Sequence, residues 1–385
     1  MDDVRERLLL GAGPSPVPAP VLAALGRPTI GHLDPLFIAL MDETAERLRT
    51  LFGTANPVTL PLSATGSGGM EAMVANFVAP GQRVIVGVAG AFGGRFADAA
   101  GRRGAVVERV EAPWGEAIPY ERLAEAAREP FAALFVVHGE TSTGVCQPLD
   151  GLAELCRAHD ALLLVDCVTS LGGQPLSIDA SGVDVAFSGT QKCINCPPGL
   201  APFTAGPRAL ERIAQPCPSW YFDLGAVRAY WDAGASGRAY HHTAPINMVY
   251  ALHAALGLLL EEGLEARWAR HATAHAALDA ALATLGCRRL AREGEQLHPL
   301  LAVEPPAGVE EAAVRGALLR EHDIEISGGL GPLAGRLWRF GAMGAGATPE
   351  VQERLVRALC AVLGADAQEP LAALRAGWRL APVAS

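Results

Sequence analysis

A short apolar run that ends in an acid, residues 161–166, constrains the fold more than any other stretch of this chain. An uninterrupted apolar run of this length is typical of a strand buried on both faces in a parallel sheet. Such a strand would place the Asp166 carboxylate at its carboxyl end, the edge where open α/β sheets bind ligands. A second apolar segment, residues 184–188, leads into the turn that carries Lys192. The two predicted strands would therefore bring both charged groups to one crevice.

Lys192 lies where burial is expected, although lysine is among the residues least often fully buried. Burying an ammonium group without a partner is costly, so a purely structural role explains this lysine poorly. A desolvated lysine amine has a lowered pKa, and it is then a nucleophile that can form a Schiff base with an aldehyde. One amine and one carboxylate in a crevice therefore suggest a cofactor site.

The remaining pattern alternates between strand and helix. Helical spacing of apolar residues predicts a helix over residues 34–52, closed by Gly53, and a helix from about Met70 follows the glycine-rich stretch 64–69. The predicted strands of this part are residues 57–62, 83–88, 105–110, 132–137, 161–166, 183–187 and 201–204. Such alternation predicts a mostly parallel sheet covered by helices on both faces.

The pattern changes near residue 247, where a long alanine- and leucine-rich helical region begins and continues to residue 285. The elements predicted beyond it are the strands 297–303 and 337–340 and the helices 309–320 and 349–363. A length of 385 residues favours about two domains. The predicted divisions are an extended segment over residues 1–15, a large domain over 16–260 and a small C-terminal domain over 261–385.

Composition argues against several classes of protein. The formal net charge is -10 and no cluster of basic residues is visible, which argues against a nucleic-acid-binding protein. No apolar run approaches the roughly 20 residues that cross a bilayer, and the charged amino terminus lacks the order of a secretory signal. The 8 scattered cysteines fit reduced residues in a cytosolic protein. We therefore predict a cytoplasmic protein without membrane or nucleic-acid partners.

Cys193 and Cys196 form the only Cys-x-x-Cys pair of the chain. A zinc site normally needs a second pair of ligands at suitable spacing, and the sequence contains none. We therefore predict no metal, and we interpret both cysteines as small residues packed behind Lys192.

Several motifs occur in the order and at the intervals of one known family. They are residues 8–15 (LLLGAGPS), 138–144 (HGETSTG), 165–166 (VD), 188–193 (SGTQKC), 197–199 (PPG), 240–243 (YHHT) and 338–341 (WRFG). Over nearly its whole length, the chain resembles the class V aminotransferases of fold type I, and most of all their alanine–glyoxylate or serine–pyruvate group. The resemblance implies a pyridoxal 5′-phosphate enzyme with a mostly parallel seven-stranded sheet flanked by helices, plus a small α+β C-terminal domain.

The resemblance also implies which residues bind the cofactor. Lys192 would hold the cofactor aldehyde, and Asp166 would keep the pyridine nitrogen protonated. Phe92 would stack on the ring, with a smaller face than the tryptophan of many relatives, and Thr141 would reach the ring with its hydroxyl. A glycine-rich turn before a helix lets backbone amides converge on an anion. The implied phosphate ligands are Ser67, Gly68, Gly69 and Gln191, together with Tyr240 and Thr243 of a neighbouring subunit.

The substrate site follows from the same resemblance. Arg339 would anchor a substrate carboxylate, because its guanidinium fork matches a carboxylate in two parallel hydrogen bonds. Gly13 lies in the loop that borders the substrate in relatives. The implied reaction is a ping-pong transamination between a small L-amino acid, alanine or serine, and a 2-oxo acid, glyoxylate or pyruvate. It would take place in a homodimer, with Lys192 carrying the proton and His138 serving only as a packed histidine.

Alternatives stay open at this point. Another class V transaminase, of the ureidoglycine–glyoxylate or pyridoxamine–pyruvate type, would share the anchor and differ in pocket residues that the sequence does not locate. A non-catalytic binding protein with the same fold is less favoured, because Asp166, Lys192 and Arg339 are all present. A cysteine desulfurase is disfavoured, because Gln191 stands where histidine is typical and no cysteine lies between residues 287 and 360.

Overall fold

The computed structural model describes residues 5–232 and 238–379. Its strands are β1 (Leu8–Leu9), β2 (Val58–Leu62), β3 (Arg83–Val88), β4 (Val106–Glu111), β5 (Ala133–Val137), β6 (Gly139–Glu140), β7 (Val145–Cys146), β8 (Leu162–Asp166), β9 (Val185–Phe187), β10 (Ala201–Ala205), β11 (Arg288–Arg289), β12 (Leu300–Glu304), β13 (Ile324–Glu325), β14 (Ser327–Gly328) and β15 (Trp338–Gly341).

Its α-helices are α1 (Ala19–Leu25), α2 (Pro35–Phe52), α3 (Gly66–Phe77), α4 (Ala91–Arg102), α5 (Tyr120–Ala126), α6 (Leu152–Ala158), α7 (Pro207–Leu210), α8 (Leu224–Trp231), α9 (Ile246–Glu262), α10 (Leu264–Thr284), α11 (Glu311–His322), α12 (Pro349–Leu363) and α13 (Gln368–Arg379). Short 3-10 turns lie at Gly331–Leu333 and Gly344–Gly346. No helix among the described residues is long and apolar enough to span a bilayer.

The central sheet has seven strands in the order β2-β10-β9-β8-β5-β3-β4. Six of them run in one direction, and β10 is antiparallel to both of its neighbours. Apolar residues fill β5 completely and β8 up to its final Asp166, since both faces of these strands are buried. The predicted α/β class with a mostly parallel seven-stranded sheet is confirmed.

The strand order determines which loops meet. The carboxyl ends of β2, β9, β8, β5 and β3 lie at one edge of the sheet, so the segments after these strands come together there. Those segments are the start of α3, the turn 188–192, the residues after Asp166, the hairpin of β6 and β7, and the start of α4. A functional site is therefore expected at this edge.

The C-terminal part contains a second, antiparallel sheet in the order β11-β12-β15-β14. Its buried apolar cluster includes Leu278, Trp338 and Phe340, and it is distinct from the cluster around the central sheet. The N-terminal strand β1 pairs with β13, so Leu10 joins this second cluster. The predicted domain boundaries at residues 15 and 260 remain predictions.

Two helix boundaries differ from those predicted. Helix α3 begins at Gly66 rather than near Met70, because the glycines form its first turn after the extended Thr65. The helical region predicted over residues 247–285 is divided at Gly263, whose φ of 84° interrupts the helix between α9 and α10.

Helix α13 has no counterpart among the predicted elements. Leu371 and Leu374 are buried on the apolar side of this helix. A Cβ at Gly377 would lie 2.6 Å from Ala277 Cα of α10. Glycine therefore allows the close approach of the two helices, whereas the sequence pattern alone shows only an alanine-rich tail.

Candidate active site

The carboxyl edge of the central sheet contains a cavity of about 210 Å³. Six of the residues predicted to form the site line it: Ser67, Phe92, Thr141, Asp166, Gln191 and Lys192. They lie at or just after the carboxyl ends of five different strands, so the parallel order of the sheet brings them together from segments more than 120 residues apart in the chain.

Lys192 lies in the turn after β9, and only 8% of its surface is exposed. Its Nζ donates a hydrogen bond to the carbonyl oxygen of Ala12. Burial and the nearby Arg339 cation lower the pKa of Lys192 to about 8. Near pH 8 about half of the amine is therefore neutral and able to act as a nucleophile.

Asp166 is the last residue of β8 and is 5% exposed. Its Oδ1 accepts a hydrogen bond from the Val168 amide at 2.8 Å. Burial raises the pKa of Asp166 to about 7, although the Val168 hydrogen bond acts in the opposite direction. A cationic group placed beside Asp166 would favour the charged carboxylate again.

Phe92 provides an aromatic wall of the cavity. It lies in the first turn of α4 and is half-buried. The guanidinium carbon of Arg95 lies over its ring, 4.6 Å from the ring centroid. A cation over a phenyl face is attracted to the ring. The start of α4 thus presents both an aromatic surface and a positive charge to the cavity.

The glycine-rich stretch behaves differently from a free loop. The amides of Gly68 and Gly69 already donate to the Thr65 carbonyl oxygen, whereas the amides of Gly66 and Ser67 begin the helix and have no intrahelical acceptor. Gly66 and Ser67 also line the cavity. A Cβ at Gly69 would lie 3.1 Å from Phe187, so this glycine lets α3 pack closely on β9. The assignment of Gly68 and Gly69 to a phosphate stays a prediction.

Gln191 precedes the lysine and lines the same cavity. Its side-chain oxygen is buried and has no hydrogen-bond partner among residues 5–232 and 238–379. Buried polar atoms are normally hydrogen-bonded. An unpaired amide beside the first turn of α3 indicates a position where a polar ligand is expected.

Arg339 lies in β15 and is 6% exposed. Its Nε donates to the Gly328 carbonyl oxygen at 2.7 Å, and its Nη1 donates to the Thr141 carbonyl oxygen at 3.1 Å. The Nη2 group makes no hydrogen bond within the described chain. The guanidinium is thus held in place from one side, and its charge acts on Lys192.

Gly13 lies directly against the lysine. Its φ is 103°, and a Cβ at this position would lie 2.8 Å from Lys192 Nζ. Ser15 extends the contact, since its hydroxyl donates to the Lys192 carbonyl oxygen at 2.7 Å. The N-terminal segment therefore closes one side of the lysine, and only glycine leaves room for the amine.

Tyr240 and Thr243 are not brought to this cavity within the subunit. Tyr240 is 62% exposed, and its hydroxyl lies 3.4 Å from Thr243 Oγ1 on the surface. The assignment of these two residues to the cofactor of a neighbouring subunit, which the resemblance implies, stays a prediction.

Comparison with known proteins identifies the family. The model of the family described as aminotransferase class-V matches residues 8–334. The chain belongs to the class V aminotransferase family. It is 40% identical over 359 residues to an alanine–glyoxylate aminotransferase of Callithrix jacchus, with 92% of this chain and 86% of that protein covered.

Two solved structures of this family are similar to the protein. An alanine–glyoxylate aminotransferase from Nostoc sp. shares 47% identity and a TM-score of 0.91, with 94% of this chain and 96% of that one covered. A ureidoglycine–glyoxylate aminotransferase from Bacillus subtilis shares 37% identity and a TM-score of 0.94, with 98% and 99% covered.

In this class V aminotransferase, His138 is buried and its Nδ1 lies 2.8 Å from Ser170 Oγ. Burial lowers the pKa of His138 to about 4, which agrees with a neutral, packed histidine. Cys193 and Cys196 are also buried, and burial raises the pKa of each thiol to about 12. No group of three or more His, Cys, Asp or Glu side chains suited to a metal occurs in the part of the chain that the structure describes.

Two features of the aminotransferase are not used in the prediction of the site: the uniqueness of its lysine and a buried glutamate. Lys192 is the only lysine of the chain, and every other one of its 31 basic residues is an arginine. That count alone singles out the residue. Glu140 is a buried carboxylate next to Thr141, and no spacing in the sequence indicates what it contacts.

Proposed function

We propose that this aminotransferase uses pyridoxal 5′-phosphate to transfer an amino group between a small L-amino acid, alanine or serine, and a 2-oxo acid, glyoxylate or pyruvate. The observation that carries the proposal is the buried amine of Lys192, with its lowered pKa, in the same cavity as the buried Asp166. The named activity of the Callithrix jacchus and Nostoc relatives supports the choice of substrates.

The residues around the cavity fit pyridoxal 5′-phosphate. Lys192 would hold its aldehyde, Asp166 its ring nitrogen, and Phe92 would cover its ring. The free amides at the start of α3 suit a phosphate, because a helix N-terminus favours negative charge. Rotation of the unpaired Gln191 amide would turn its NH2 group to the same anion.

When bound, pyridoxal 5′-phosphate supplies an aldehyde that accepts the amino group and a ring that accepts electrons from the substrate α-carbon. Asp166 keeps the proton on the ring nitrogen, since an adjacent carboxylate favours the cationic form. The neutral fraction of Lys192 takes the proton from the substrate α-carbon at Nζ. Burial of both groups strengthens these interactions, because the local dielectric is low.

Arg339 orients the substrate. The carbonyl oxygens of Gly328 and Thr141 hold its Nε and Nη1, so the fork does not lose further side-chain freedom when a carboxylate binds. Its Nη2 and the second hydrogen of Nη1 remain for a carboxylate that approaches beside Lys192. The α-carboxylate of an amino acid or a 2-oxo acid is the group that both substrates share.

A second candidate activity is the transamination of (S)-ureidoglycine with glyoxylate. The name of a Bacillus subtilis relative, 37% identical over 360 residues, states this activity for that protein. Both candidates use the same anchor and acceptor, so the amino donor distinguishes them.

The experiment that tests the function is a set of half-reactions. The purified holoenzyme is mixed with alanine, serine, glycine or (S)-ureidoglycine, and the change in the cofactor's visible absorption is followed. We expect rapid conversion by alanine or serine. No conversion by any amino acid would contradict the proposal, and conversion by ureidoglycine alone would favour the second candidate.

Arg339→Gln should raise the KM for the amino acid by about a hundredfold, because two charge-assisted hydrogen bonds are lost. The matched control is Arg336→Gln, which changes an exposed arginine three residues earlier. Steady-state kinetics of both variants check the expectation. An equal effect of the two substitutions would contradict the role of Arg339 as the anchor.

The surface supports a homodimer. Trp220 and Tyr240 are large aromatic side chains with 69% and 62% of their surfaces exposed. Such side chains on a soluble protein mark an interaction surface when they cluster. Trp220 also stacks on His241, so it lies near the segment 240–243. In the proposed dimer a second copy of the chain would cover this surface. Tyr240 and Thr243 of one subunit would then reach the phosphate of the cofactor that the other subunit binds.

Subunit complementation tests the shared site. Lys192→Ala and Tyr240→Ala proteins are refolded together and assayed at limiting cofactor. If Tyr240 acts across the interface, each mixed dimer has one intact site, and about a quarter of the wild-type activity returns. Activity no higher than the sum of the two separate variants would contradict the shared site.

A further inference from the structure

Glu140 is a carboxylate that the proposed reaction does not use. It is 1% exposed and lies in β6, just after β5, at the carboxyl edge of the sheet. Its Oε2 accepts hydrogen bonds from the amides of Phe92 at 3.1 Å and Gly93 at 3.3 Å. Its Oε1 accepts from the amide of Ser142 at 3.1 Å and from its hydroxyl at 2.5 Å. Four donors therefore converge on one buried side chain.

Ser142 completes this arrangement. Its hydroxyl oxygen accepts a hydrogen bond from the Ala91 amide at 2.9 Å. Glu140 and Ser142 together thus receive the amides of the first three residues of α4. These amides have no intrahelical acceptor and would otherwise be unsatisfied in a buried site.

The residue before α4 is a glycine for a steric reason. Gly90 occupies the N-cap position and has no side chain that could cap the helix. A Cβ at Gly90 would lie 2.3 Å from Ser142 Oγ and 2.6 Å from Glu140 Cδ. The cap supplied by the β6–β7 segment therefore occupies the space of a local cap, and the start of α4 depends on it.

The opposite side of the same turn is also held. A Cβ at Gly93 would lie 2.6 Å from the Gly87 carbonyl oxygen of β3, so the turn packs directly on the sheet. The first turn of α4 is thus fixed between β3 and the Glu140 carboxylate. Phe92 lies in this turn, and its ring lines the cavity.

We propose that Glu140 is a positioning residue that fixes the Phe92 ring at the height required to cover the cofactor. This inference rests on the proposed function, because the ring that Phe92 covers is that of pyridoxal 5′-phosphate. Glu140 acts through the backbone amides of Phe92 and Gly93 and touches neither substrate nor cofactor. A carboxylate suits this position because it can accept four hydrogen bonds and complements the positive end of the helix dipole.

Burial raises the pKa of Glu140, whereas the hydrogen bonds from Ser142, Phe92 and Gly93 act in the opposite direction and favour the charged carboxylate. This negative charge has a separate effect. Burial acts most strongly on the pKa values of Asp166 and Lys192, and the Glu140 charge acts to raise both, because it disfavours loss of a proton. Positioning and charge are separated by two substitutions. Glu140→Gln keeps the length of the side chain but turns an NH2 group toward backbone donors. Glu140→Asp keeps the charge but shortens the reach to the Phe92 amide.

The test is a double-mutant cycle on cofactor affinity. The dissociation constant of pyridoxal 5′-phosphate is measured by fluorescence titration of the cofactor-free protein. We expect Glu140→Gln and Glu140→Asp each to weaken binding about tenfold, a change within the usual range for loss of a helix cap. Phe92→Ala should weaken binding by a similar factor. The Glu140→Gln/Phe92→Ala protein should bind no more than about twofold more weakly than Phe92→Ala alone, since both changes remove one contact.

Two comparisons serve as controls. Glu140→Gln combined with Gln191→Ala should multiply the single effects, because Gln191 is expected at the phosphate. Glu311→Gln alters another buried carboxylate, 2% exposed and outside the site, and should change the melting temperature without changing cofactor affinity.

Three results would overturn the inference: multiplied effects of Glu140→Gln and Phe92→Ala, wild-type affinity in Glu140→Gln, or wild-type affinity in Glu140→Asp. The third would assign the effect to charge. Failure of the proposed function is recognised separately, because the wild-type protein itself would then not bind pyridoxal 5′-phosphate.

Discussion

Lys192→Ala should lower the turnover of the aminotransferase by at least about 10⁴-fold. In the proposed function this amine both holds the cofactor aldehyde and moves the proton, and proton transfer alone contributes about 10²–10⁴-fold. The protein should still fold, because the lysine makes one side-chain hydrogen bond, to Ala12, in the cofactor-free structure. Coupled assays of alanine with glyoxylate, together with melting temperatures, check both expectations.

Lys192→Arg is the matched control for this variant. It keeps a cation in the cavity but lacks a nucleophilic amine, so it should be as inactive as the alanine variant. Borohydride reduction of the holoenzyme should leave a stable mass increase in the wild type and none at residue 192 in either variant. More than about 1% of wild-type turnover in Lys192→Ala would refute the assignment.

Asp166→Asn should separate stability from catalysis. Turnover should fall by about two to three orders of magnitude, which is the usual cost of removing one preorganised electrostatic group from a reacting centre. The cofactor-free protein should nevertheless become more stable near pH 8. There the wild type carries an ionised carboxylate in a site where burial raises its pKa to about 7.

The pH dependence follows from the direction of this change in pKa. In the unfolded chain Asp166 ionises near pH 3.8, whereas in the folded chain it keeps its proton until about pH 7. The unfolded state therefore binds fewer protons between these values, and the wild-type stability falls as the pH rises through them. Above pH 7 the accumulated loss is about 4 kcal/mol, because a tenfold change in proton affinity corresponds to about 1.4 kcal/mol.

Asparagine does not titrate, so the variant lacks this loss. Urea unfolding of both cofactor-free proteins at pH 5 and pH 8 measures the difference. The difference in the free energy of unfolding between Asp166→Asn and the wild type should be about 2–3 kcal/mol larger, in favour of the variant, at pH 8 than at pH 5. A gain independent of pH would show that the buried charge of Asp166 is not its cause.

Much of the fold could be predicted from local pattern. Continuous apolar runs identify β5 and β8, because a strand that is buried on both faces has apolar residues at successive positions instead of an alternation of apolar and polar ones. Once those strands are placed, the rule that ligands bind at carboxyl edges brings Asp166 and Lys192 to one cavity. The sequence predicts helix α2 to within one residue, since Asp34 caps it and Gly53 ends it in the left-handed region.

The rest depends on contacts that no local pattern contains. The cap of α4 comes from residues about 50 positions later in the chain, so the sequence near Gly90 shows only a glycine without a capping side chain. The true start of α3 at Gly66 is likewise set by packing, since Gly69 in its first turn lies against Phe187 of β9 and Ala201 of β10. Tertiary contacts here override the low helix propensity of glycine.

The single lysine has a practical consequence beyond catalysis. The protein offers amine-directed reagents a single ε-amine, that of Lys192, and this amine is buried. The rate of acylation at residue 192 therefore reports how often the enclosure opens and how often the amine is unprotonated. Peptide mass mapping after a timed pulse of reagent would therefore measure, at this one residue, the rate at which the site opens to solvent.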